Sequence, residues 1–508
     1  MAVMKSASRA GSAVFSAVLG SLLTMSVVPV PVSAAPGAGQ TASPPTWGSC
    51  DRFVTDAYLP SAQCTEVPVP LDDANPAGPQ ANLAVIKIPA RGSRIGVLLM
   101  NPGGPGASAV DSVVNLSDTL ADSPIGEHFD LVGFDPRGVG HSTPELRCLS
   151  DAEQDAWRRE SLVDYSQAGV AAIEALYRNV AQKCVDRMGK EFLAGVGTAS
   201  AAKDMDAVRA ALGEDQINYL GYSYGTELGT AYVEKFGNRV RTMVLDGAID
   251  PDQNPLDSLV EQMAGFQLAF NDYAADCAKS PACPLGTDPA QFVNRYHQLV
   301  NPLVTKPGPT SDPRGLSYSD AITGTINALY TPQYWKYLTS GLLGLQRGVE
   351  ADDLLMLADD YDGRDDDGHY SNGQDAFNAI RCVDSTTPSD PALWAQVDKQ
   401  IRERAPFLSY GQFTGFAPRD LCAFWPVPPT STPHEVAPAP AGSVVVVSTT
   451  HDPATPYQAG VDLARQLSAP LITFDGTQHT VVFDGNDCVD DAVVGYFVDR
   501  AVPGDLSC

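Results

Sequence analysis

The sequence predicts an α/β fold: a mostly parallel sheet with helices on both faces and an inserted, mainly helical lid. Short apolar runs alternate with helix-compatible stretches up to residue 250 and resume after residue 431, whereas the strand signal fades between these positions. Apolar residues make up 44% of the 508 residues, enough for a sizeable core. Buried parallel strands read as continuous apolar runs separated by crossover helices, so this alternation favours such a sheet.

The first 34 residues are typical of a secretory signal peptide. Lys5 and Arg9 supply the positive start, and an apolar run over about 13–32 ends at small residues that suit cleavage. Two prolines interrupt the run, which argues against a membrane anchor. The following residues, 35–48, are rich in Pro, Gly and Ser and predict a flexible leader or propeptide. We therefore expect a secreted, extracellular protein that has no contact with the membrane once the signal is removed.

Residues 49–250 are predicted to form the first part of the core. Each expected strand is an apolar run that ends near a Gly or Pro turn, and the runs span 83–90, 95–104, 129–138, 217–225 and 241–249. Helix-compatible stretches at 166–188 and 198–212 lie between the later runs. Strands alternating with helices in this way predict parallel pairing.

The strand signal is lost over residues 251–430, where apolar residues recur at helical spacing. This part is predicted to be the helical lid. Two more strands, at 443–453 and 470–480, and a terminal helix are expected in residues 431–508, the C-terminal part of the core.

The ten cysteines form an even number, which an exported protein can use for disulfides. They fall as close pairs along the chain, and nearest-neighbour pairing is our expectation, although spacing does not fix connectivity. The expected pairs are Cys50–Cys64, Cys148–Cys184, Cys277–Cys283, Cys382–Cys422 and Cys488–Cys508. No C-x-x-C motif occurs, so zinc and thioredoxin-type sites have no support.

Acidic residues outnumber basic ones by 61 to 33, and the net charge is −28. Such a surface repels phosphate backbones, so no nucleic-acid partner is expected. The acidic stretch 359–368 fails the EF-hand pattern, because Arg364 stands where a ligand is needed and no Glu closes the loop. We expect a solvated acidic loop there, and no metal or organic cofactor in the protein. The sequence leaves the oligomeric state open.

A G-x-S-x-G motif at 221–225 predicts a nucleophilic serine, Ser223. The motif follows a short apolar run and precedes a helix-compatible stretch, and strand, sharp turn and helix are the context that a nucleophile elbow needs. The two glycines relieve crowding in the turn. A tight turn with an idle serine is the alternative.

A serine hydroxyl is a poor nucleophile unless a base accepts its proton. Where the nucleophile lies on such an elbow, the acid and then the histidine follow it along the chain. His479 lies just past the last long strand and is assigned as the base. Asp452 directly follows a strand and is assigned as the acid that holds the imidazole tautomer. Asp246, which ends the strand after the nucleophile's own, is the competing acid.

The Gly-rich turn at 101–106 is predicted to help bind a developing oxyanion. A backbone N–H in such a turn can point at the charge, and we expect this donor to be Gly104. The second expected donor is the N–H of Tyr224, the residue after the nucleophile. The turn lacks the Lys and the Ser or Thr of a phosphate-binding loop.

These residues resemble a known family. The Gly103–Gly106 turn, the segment 133–142, the elbow at Ser223, and the late Asp452 and His479 are similar to those of the α/β-hydrolase exopeptidases, the prolyl and tripeptidyl aminopeptidases. The resemblance spans essentially the whole mature chain and implies an α/β-hydrolase fold.

The resemblance is closer to one branch of that family. Pro102 stands where the prolyl branch usually carries His, whereas segments 379–384 and 422–425 and a cysteine-tied C-terminus resemble the secreted bacterial tripeptidyl aminopeptidases. This implies a serine exopeptidase that releases N-terminal tripeptides from peptides with a free N-terminus. A prolyl aminopeptidase, a non-peptide esterase or amidase, and a non-catalytic binding protein on a hydrolase scaffold are the alternatives.

An exopeptidase must also recognise the substrate's α-ammonium group, and a buried carboxylate does this best. Asp384 is our first choice for this role and Glu261 the second, although a surface or helix-capping role suits either residue. Arg137 is expected to pair with carbonyl groups or a carboxylate within the fold rather than with substrate.

Overall fold

The computed structural model describes residues 45–54 and 61–508. The predicted signal peptide and most of the predicted leader lie outside these residues. Within them, a nine-stranded sheet has the order β1-β2-β4-β3-β5-β6-β7-β8-β9. The strands are β1 Gln63–Pro70, β2 Gln80–Ile88, β3 Gly96–Asn101, β4 Phe129–Phe134, β5 Ile217–Tyr222, β6 Val240–Asp246, β7 Val444–Thr449, β8 Leu471–Phe474 and β9 Leu506–Ser507.

The predicted fold class is confirmed. Strands β3 to β9 all pair in parallel, and only β1 with β2 and β2 with β4 pair antiparallel. Every residue of β3, β4 and β7 is buried, because helices cover both faces of the sheet. Each apolar run predicted as a strand overlaps one.

The sequence did not reveal β1 and β9. Strand β1 contains Pro68 and ends at Pro70, and proline is tolerated there because the strand lies at the edge of the sheet. Strand β9 has two residues and is too short for a pattern.

Sixteen α-helices lie in the described part of the chain. They are α1 Ala109–Thr119, α2 Pro124–His128, α3 Asp151–Arg158, α4 Gln167–Met188, α5 Lys190–Ala194, α6 Thr198–Ala211, α7 Tyr224–Phe236, α8 Pro255–Cys277, α9 Phe292–Val300, α10 Tyr318–Leu329, α11 Trp335–Arg347, α12 Asp352–Asp362, α13 Gly373–Asp384, α14 Pro391–Arg404, α15 Tyr457–Leu467 and α16 Asp487–Asp499. None of the helices described is long and apolar enough to cross a membrane.

The two faces of the sheet have separate apolar cores. Helices α1, α2 and α16 cover one face, and helices including α6, α7 and α15 cover the other. Neighbouring residues of one strand enter opposite cores, as Leu98 and Leu99 of β3 do, because side chains alternate along a strand. The carboxyl ends of the parallel strands are thereby fixed in one place.

The helical insertion has an apolar core of its own, built mainly from α8 to α12. Phe270 of α8 stacks on Phe407 with ring centroids 4.6 Å apart. Helix α13 differs from its neighbours, because Ala379 and Ile380 pack into the core of the sheet. The described residues form one compact unit, so the insertion is continuous with the core.

Buried ion pairs join the insertion to the first part of the core. Arg158 at the end of α3 bonds Asp320 of α10 at 2.8 Å and Asp359 of α12 at 2.6 Å, and lies 3.0 Å from Asp362. The acidic stretch that begins at Asp359 was expected to be a solvated loop. That expectation is wrong for its first residues, because they belong to α12 and neutralise a buried arginine.

Five disulfides are present: Cys50–Cys64, Cys148–Cys184, Cys277–Cys283, Cys382–Cys422 and Cys488–Cys508. These are the nearest-neighbour pairs. Disulfides persist in oxidising compartments, so this number agrees with a location outside the cytoplasm.

Candidate active site

Ser223 lies in the turn between β5 and α7, in a strained conformation with φ 54° and ψ −123°. Such a backbone is costly for a residue with a side chain and occurs where the surroundings enforce it. A Cβ on Gly221 would collide with the carbonyl oxygen of Gly225, and one on Gly225 would lie 2.7 Å from the carbonyl oxygen of Asn101. Both glycines of the motif are therefore required for the turn to close.

The Gly-rich turn after β3 lies directly against this elbow. A Cβ on Gly103 would lie 2.8 Å from Cβ of Ser223 and 3.2 Å from the nitrogen of Tyr224, so no side chain fits there. Gly104 lines the same cavity as Ser223. Among the described residues, the N–H groups of Gly104 and Tyr224 have no hydrogen-bond acceptor. Two such donors beside a serine can bind an oxyanion.

His479 is placed by contacts on several sides. Its Nδ1 lies 2.9 Å from Oδ1 of Asp452 and 3.3 Å from Oγ1 of Thr455, and its backbone N–H donates to the carbonyl oxygen of Tyr330 at 2.8 Å. The ring of Tyr330 meets the imidazole edge-on, with centroids 5.3 Å apart. Nε2 of His479 is buried and has no partner within the described chain, so it is available to accept a proton from a nearby hydroxyl.

Asp452, the third residue after β7, is buried and fully hydrogen-bonded. Its Oδ1 accepts the backbone N–H groups of Ala454 and Thr455, each at 2.8 Å, and its Oδ2 accepts the hydroxyl of Thr455 at 3.0 Å. Burial lowers the pKa of His479, but the charge and hydrogen bond of Asp452, together with the charge of Asp246, outweigh burial and raise it. This arrangement favours the imidazolium that forms during general-base catalysis.

The competing acid, Asp246, takes a different position. The structure gives its side chain no hydrogen bond to His479; instead, Oδ2 accepts the backbone N–H groups of Val481 and Val482 at 2.8 Å each. Asp452 is thus the carboxylate that contacts the imidazole.

Ser223 and His479 line one cavity of about 1150 Å³ beneath the lid helices. A second cavity, of about 670 Å³, adjoins it and contains Glu227 and Asp384; we call this the side cavity. The two cavities share the lining residues Ile249, Asp250, Gln253, Ser258 and Gln262. The side cavity is therefore the immediate neighbour of the cavity that contains Ser223.

Asp384 at the end of α13 is buried, and its carboxylate accepts the N–H of Thr198 at 2.8 Å and the hydroxyl of Thr198 at 2.7 Å. Glu227 of α7 faces the same cavity and has neither a hydrogen bond nor an ion pair within the described chain. Burial and the neighbouring Asp384 raise the pKa of Glu227 to about 8, and burial raises that of Asp384 to about 6. Two neighbouring carboxylates without a counter-ion repel each other, and a cation between them would relieve that repulsion.

The second predicted amine-binding residue, Glu261, is not suited to that role. Its carboxylate forms an ion pair with Arg404, at 2.7 Å for one of its two contacts, on a half-exposed surface. An arginine already neutralises it, and it lines neither cavity.

Arg137 is a structural residue, as expected. Its guanidinium binds Asp204 through two hydrogen bonds of 2.7 and 2.6 Å, and it also donates to the carbonyl oxygens of Pro70 and Leu71. These contacts occupy it within the fold.

Glu227 was missed by the sequence analysis. It lies four residues after Ser223, in the first turn of α7. An acidic residue in the first turn of a helix is usually explained by its favourable interaction with the helix dipole. The sequence therefore offered no reason to single out Glu227 as a binding residue.

One group in the described residues has metal-ligand spacing: Cys382, Asp420 and Cys422. The two cysteines form a disulfide with each other, so their sulfur atoms are not thiolates and the group does not fit a metal.

Comparison with known proteins shows the family of the chain. Residues 96–486 match the profile of the α/β-hydrolase fold. Carboxylesterase B of Mycobacterium tuberculosis is 67% identical over 92% of this chain and 91% of its own length. Serine protease Hip1 of the same species is 53% identical, over 92% of this chain and 91% of its own. Tripeptidyl aminopeptidase of Streptomyces lividans is 31% identical, over 91% and 86%.

Proposed function

We propose, since this chain belongs to the α/β-hydrolase family and to the part of it that contains serine peptidases, that it is an exported serine exopeptidase. Its substrates are peptides with a free N-terminus, from which it releases tripeptides. The signal-like N-terminus and the five disulfides support export.

The proposed reaction uses the residues around Ser223. The hydroxyl of Ser223 attacks the scissile carbonyl, and Nε2 of His479, oriented by Asp452, accepts its proton. The N–H groups of Gly104 and Tyr224 stabilise the tetrahedral oxyanion. The imidazolium returns the proton to the leaving amine, which departs and leaves an acyl-enzyme. Water, deprotonated by the same imidazole, then releases the acyl part as a free peptide and restores Ser223.

The observation that carries the exopeptidase proposal is the carboxylate pair in the side cavity. Glu227 and Asp384 lie next to the catalytic cavity and have no cationic partner within the described chain. A peptide's α-ammonium group is the cation that an aminopeptidase must bind. A hydrogen bond between charged groups contributes about 1.5–3 kcal/mol, enough to select free over blocked N-termini.

The tripeptidyl aminopeptidase relative supports a released fragment of three residues rather than the single residue that a prolyl aminopeptidase releases.

A carboxylesterase is the second candidate function. The 67% identical relative bears the name Carboxylesterase B, and a serine with an oxyanion site can cleave esters as well as amides. An esterase acting on uncharged substrates would not need Glu227 or Asp384.

The test compares coumarin amides. Ala-Pro-Ala-7-amido-coumarin, its N-acetylated form, the mono- and dipeptide analogues and a simple aryl ester are incubated with the purified mature protein. We expect release of coumarin mainly from the unblocked tripeptide. Equal cleavage of the acetylated form would refute the exopeptidase proposal. Cleavage of the aryl ester alone would establish the esterase instead.

Variants locate the amine site in the same assay. Asp384→Asn and Glu227→Gln should abolish the preference for the unblocked tripeptide. Glu261→Gln is the matched control, because it removes an acidic group that lines neither cavity and that Arg404 already neutralises. An unchanged preference in both side-cavity variants would contradict the assigned site.

A fluorophosphonate probe, which labels an active serine covalently, distinguishes the enzyme from a non-catalytic binding protein. The proposal predicts covalent labelling of the wild type and none of Ser223→Ala. A wild-type protein that stays unlabelled would support the binding protein.

A further inference from the structure

Asp246 is buried at the centre of the molecule, yet the proposed reaction gives it no task. It ends β6, where it pairs with Tyr222 of β5 on one side and with Val447 of β7 on the other. Its side chain is fully buried. Its backbone carbonyl oxygen accepts the N–H of Ser223 at 2.9 Å, so the main chain of this residue supports the elbow directly.

The side chain of Asp246 supports a different loop. Its Oδ2 accepts the N–H groups of Val481 and Val482, and the hydroxyl of Tyr222 donates to the carbonyl oxygen of Val482 at 2.9 Å. The segment directly after His479 is therefore hydrogen-bonded to the last residues of β5 and β6. We call residues 479–483 the histidine loop.

The histidine loop needs such support. Thr480 has φ 64° and Phe483 has φ 61°, both in the left-handed region. A β-branched or bulky residue is strained in this region, and the surrounding structure must hold it in place. The two bonds to Asp246 lie between these two positions and supply that restraint.

Asp246 also acts electrostatically on His479, because its negative charge raises the pKa of the imidazole. Burial raises its pKa to about 7, while its hydrogen bonds to the loop and the charge of His479 act in the opposite direction and Asp452 adds to the increase. Tyr222, packed beside it, is neutral because burial and Asp246 raise the pKa of its hydroxyl further. Oδ1 of Asp246 has no hydrogen-bond partner in the described chain. The hydrogen bonds of its side chain thus leave its charge incompletely compensated, and a charge on His479 lowers its pKa.

We propose that Asp246 is a positioning residue that holds the histidine loop against the nucleophile's turn, and that its carboxylate is a second negative charge, besides Asp452, which stabilises the imidazolium of His479. This inference rests on the serine mechanism proposed above, but not on the identity of the substrate. Two functions follow from one side chain: hydrogen bonds that fix the loop and a charge that sets the acid limit of activity.

The variants Asp246→Asn and Tyr222→Phe separate these two functions. Asparagine can still accept N–H groups but has no charge. Phenylalanine removes one bond to the histidine loop and leaves the charge of Asp246 in place. Hydrolysis of an uncharged aryl ester is measured from pH 4 to 9, because this substrate has no titrating group of its own.

The acid limb of kcat/KM reports loss of the neutral imidazole. Removing a negative charge near His479 disfavours the imidazolium, so Asp246→Asn should move this limb to lower pH, by about half a unit or more. Tyr222→Phe should lower kcat without moving the limb. Asp246→Glu keeps the charge and should leave the limb in place. Asp246→Ser gives the same comparison if the asparagine variant does not fold.

An acid limb that coincides in the wild type and in the neutral variants would overturn the proposal, since a purely structural residue changes rate but not pH dependence. Asp484→Asn is the control for charge removal, because Asp484 follows the histidine loop at an exposed position. Ser223→Ala distinguishes the two proposals. If that variant still hydrolyses the ester, the serine mechanism fails. If it is inactive and the limb is unshifted, only the role of Asp246 fails.

Discussion

The catalytic loops and the side cavity are neighbours that are built in different ways. Ser223, Asp452 and His479 each follow a strand of the sheet within a few residues, so short stretches of sequence place them. Glu227 and Asp384 come from α7 and α13, helices that are far apart along the chain and meet only because α13 packs on the sheet. The comparison teaches that the chemistry is encoded locally, whereas the proposed substrate selection depends on how the insertion folds back.

The two regions also differ in how their polar groups are satisfied. Asp452 has partners at both oxygens, and its hydrogen bonds are complete without substrate. Glu227 has no partner within the described chain. The first region is preorganised, and the second is complete only when a cation occupies it. The following predictions test this contrast.

The largest effect is expected for Ser223→Ala. Removing the nucleophile of a serine hydrolase lowers kcat by about 10⁶-fold, and it should do so for both the aryl ester and the tripeptide amide. Rates are measured under single-turnover conditions, and circular dichroism checks the fold. Activity within tenfold of the wild type would contradict the mechanism.

Asp452→Asn should have the next largest effect, about 10⁴-fold in kcat, because asparagine favours the wrong imidazole tautomer. The loss should again be the same for both substrates. Asp246→Asn in parallel provides the comparison, since of the two acids Asp452 is the one that bonds the imidazole. A larger loss at Asp246 than at Asp452 would reverse the assignment of the acid.

Glu227→Gln should act on one substrate only. We expect kcat/KM for the unblocked tripeptide to fall by about 10–100-fold, the loss of a charged hydrogen bond, while ester hydrolysis stays within about twofold. An equal loss on both substrates would show that Glu227 supports the catalytic loops instead.

The same variant should be more stable than the wild type. Glutamate ionises near pH 4.5 in the unfolded chain, whereas burial and Asp384 raise the pKa of Glu227 to about 8 in the folded protein. Between these values the folded state binds the additional proton, so the free energy of unfolding falls as pH rises. Glutamine has no such cost, and its melting temperature should exceed that of the wild type at pH 8 but not at pH 4. A lower melting temperature at pH 8 would contradict the buried, unpaired state.

The smallest effect is expected at Asp272 of the lid helix α8. Its Oδ2 contacts Nδ1 of His451 and the hydroxyl of Thr477, each at 2.7 Å, and so joins the lid to the loops that carry Asp452 and His479. The contacts are partly exposed, so Asp272→Asn should lower kcat by no more than about fivefold, for both substrates alike. A selective loss on the peptide would place the lid in substrate binding instead.

Much of the fold could be predicted from the sequence. The apolar runs marked seven of the strands, because buried parallel strands are apolar throughout. Strand β1 was not predicted, because it contains prolines, which are tolerated in an edge strand but argue against a strand in the sequence. The position of Asp359 was predicted wrongly for another reason. A cluster of acidic residues usually indicates a solvated loop, and Arg158, which neutralises Asp359, lies about two hundred residues earlier in the chain.

The site was predicted unevenly for the same physical reason. The order of serine, acid and histidine and the strand before each indicated Ser223, Asp452 and His479. Asp384 was chosen on chemical grounds, and the structure places it beside the catalytic cavity. Glu261 was chosen on the same grounds, and Arg404 neutralises it. No local pattern separates a paired acid from an unpaired one, since the partner comes from a distant part of the chain.

The most direct test of the central claim uses a ten-residue peptide with a free N-terminus, sampled early in its digestion and analysed by mass spectrometry. The account predicts that the first products are the N-terminal tripeptide and the remaining seven residues, and that acetylation of the N-terminus or the change Glu227→Gln suppresses both. Single residues as first products, or cleavage of the acetylated peptide at the wild-type rate, would contradict it.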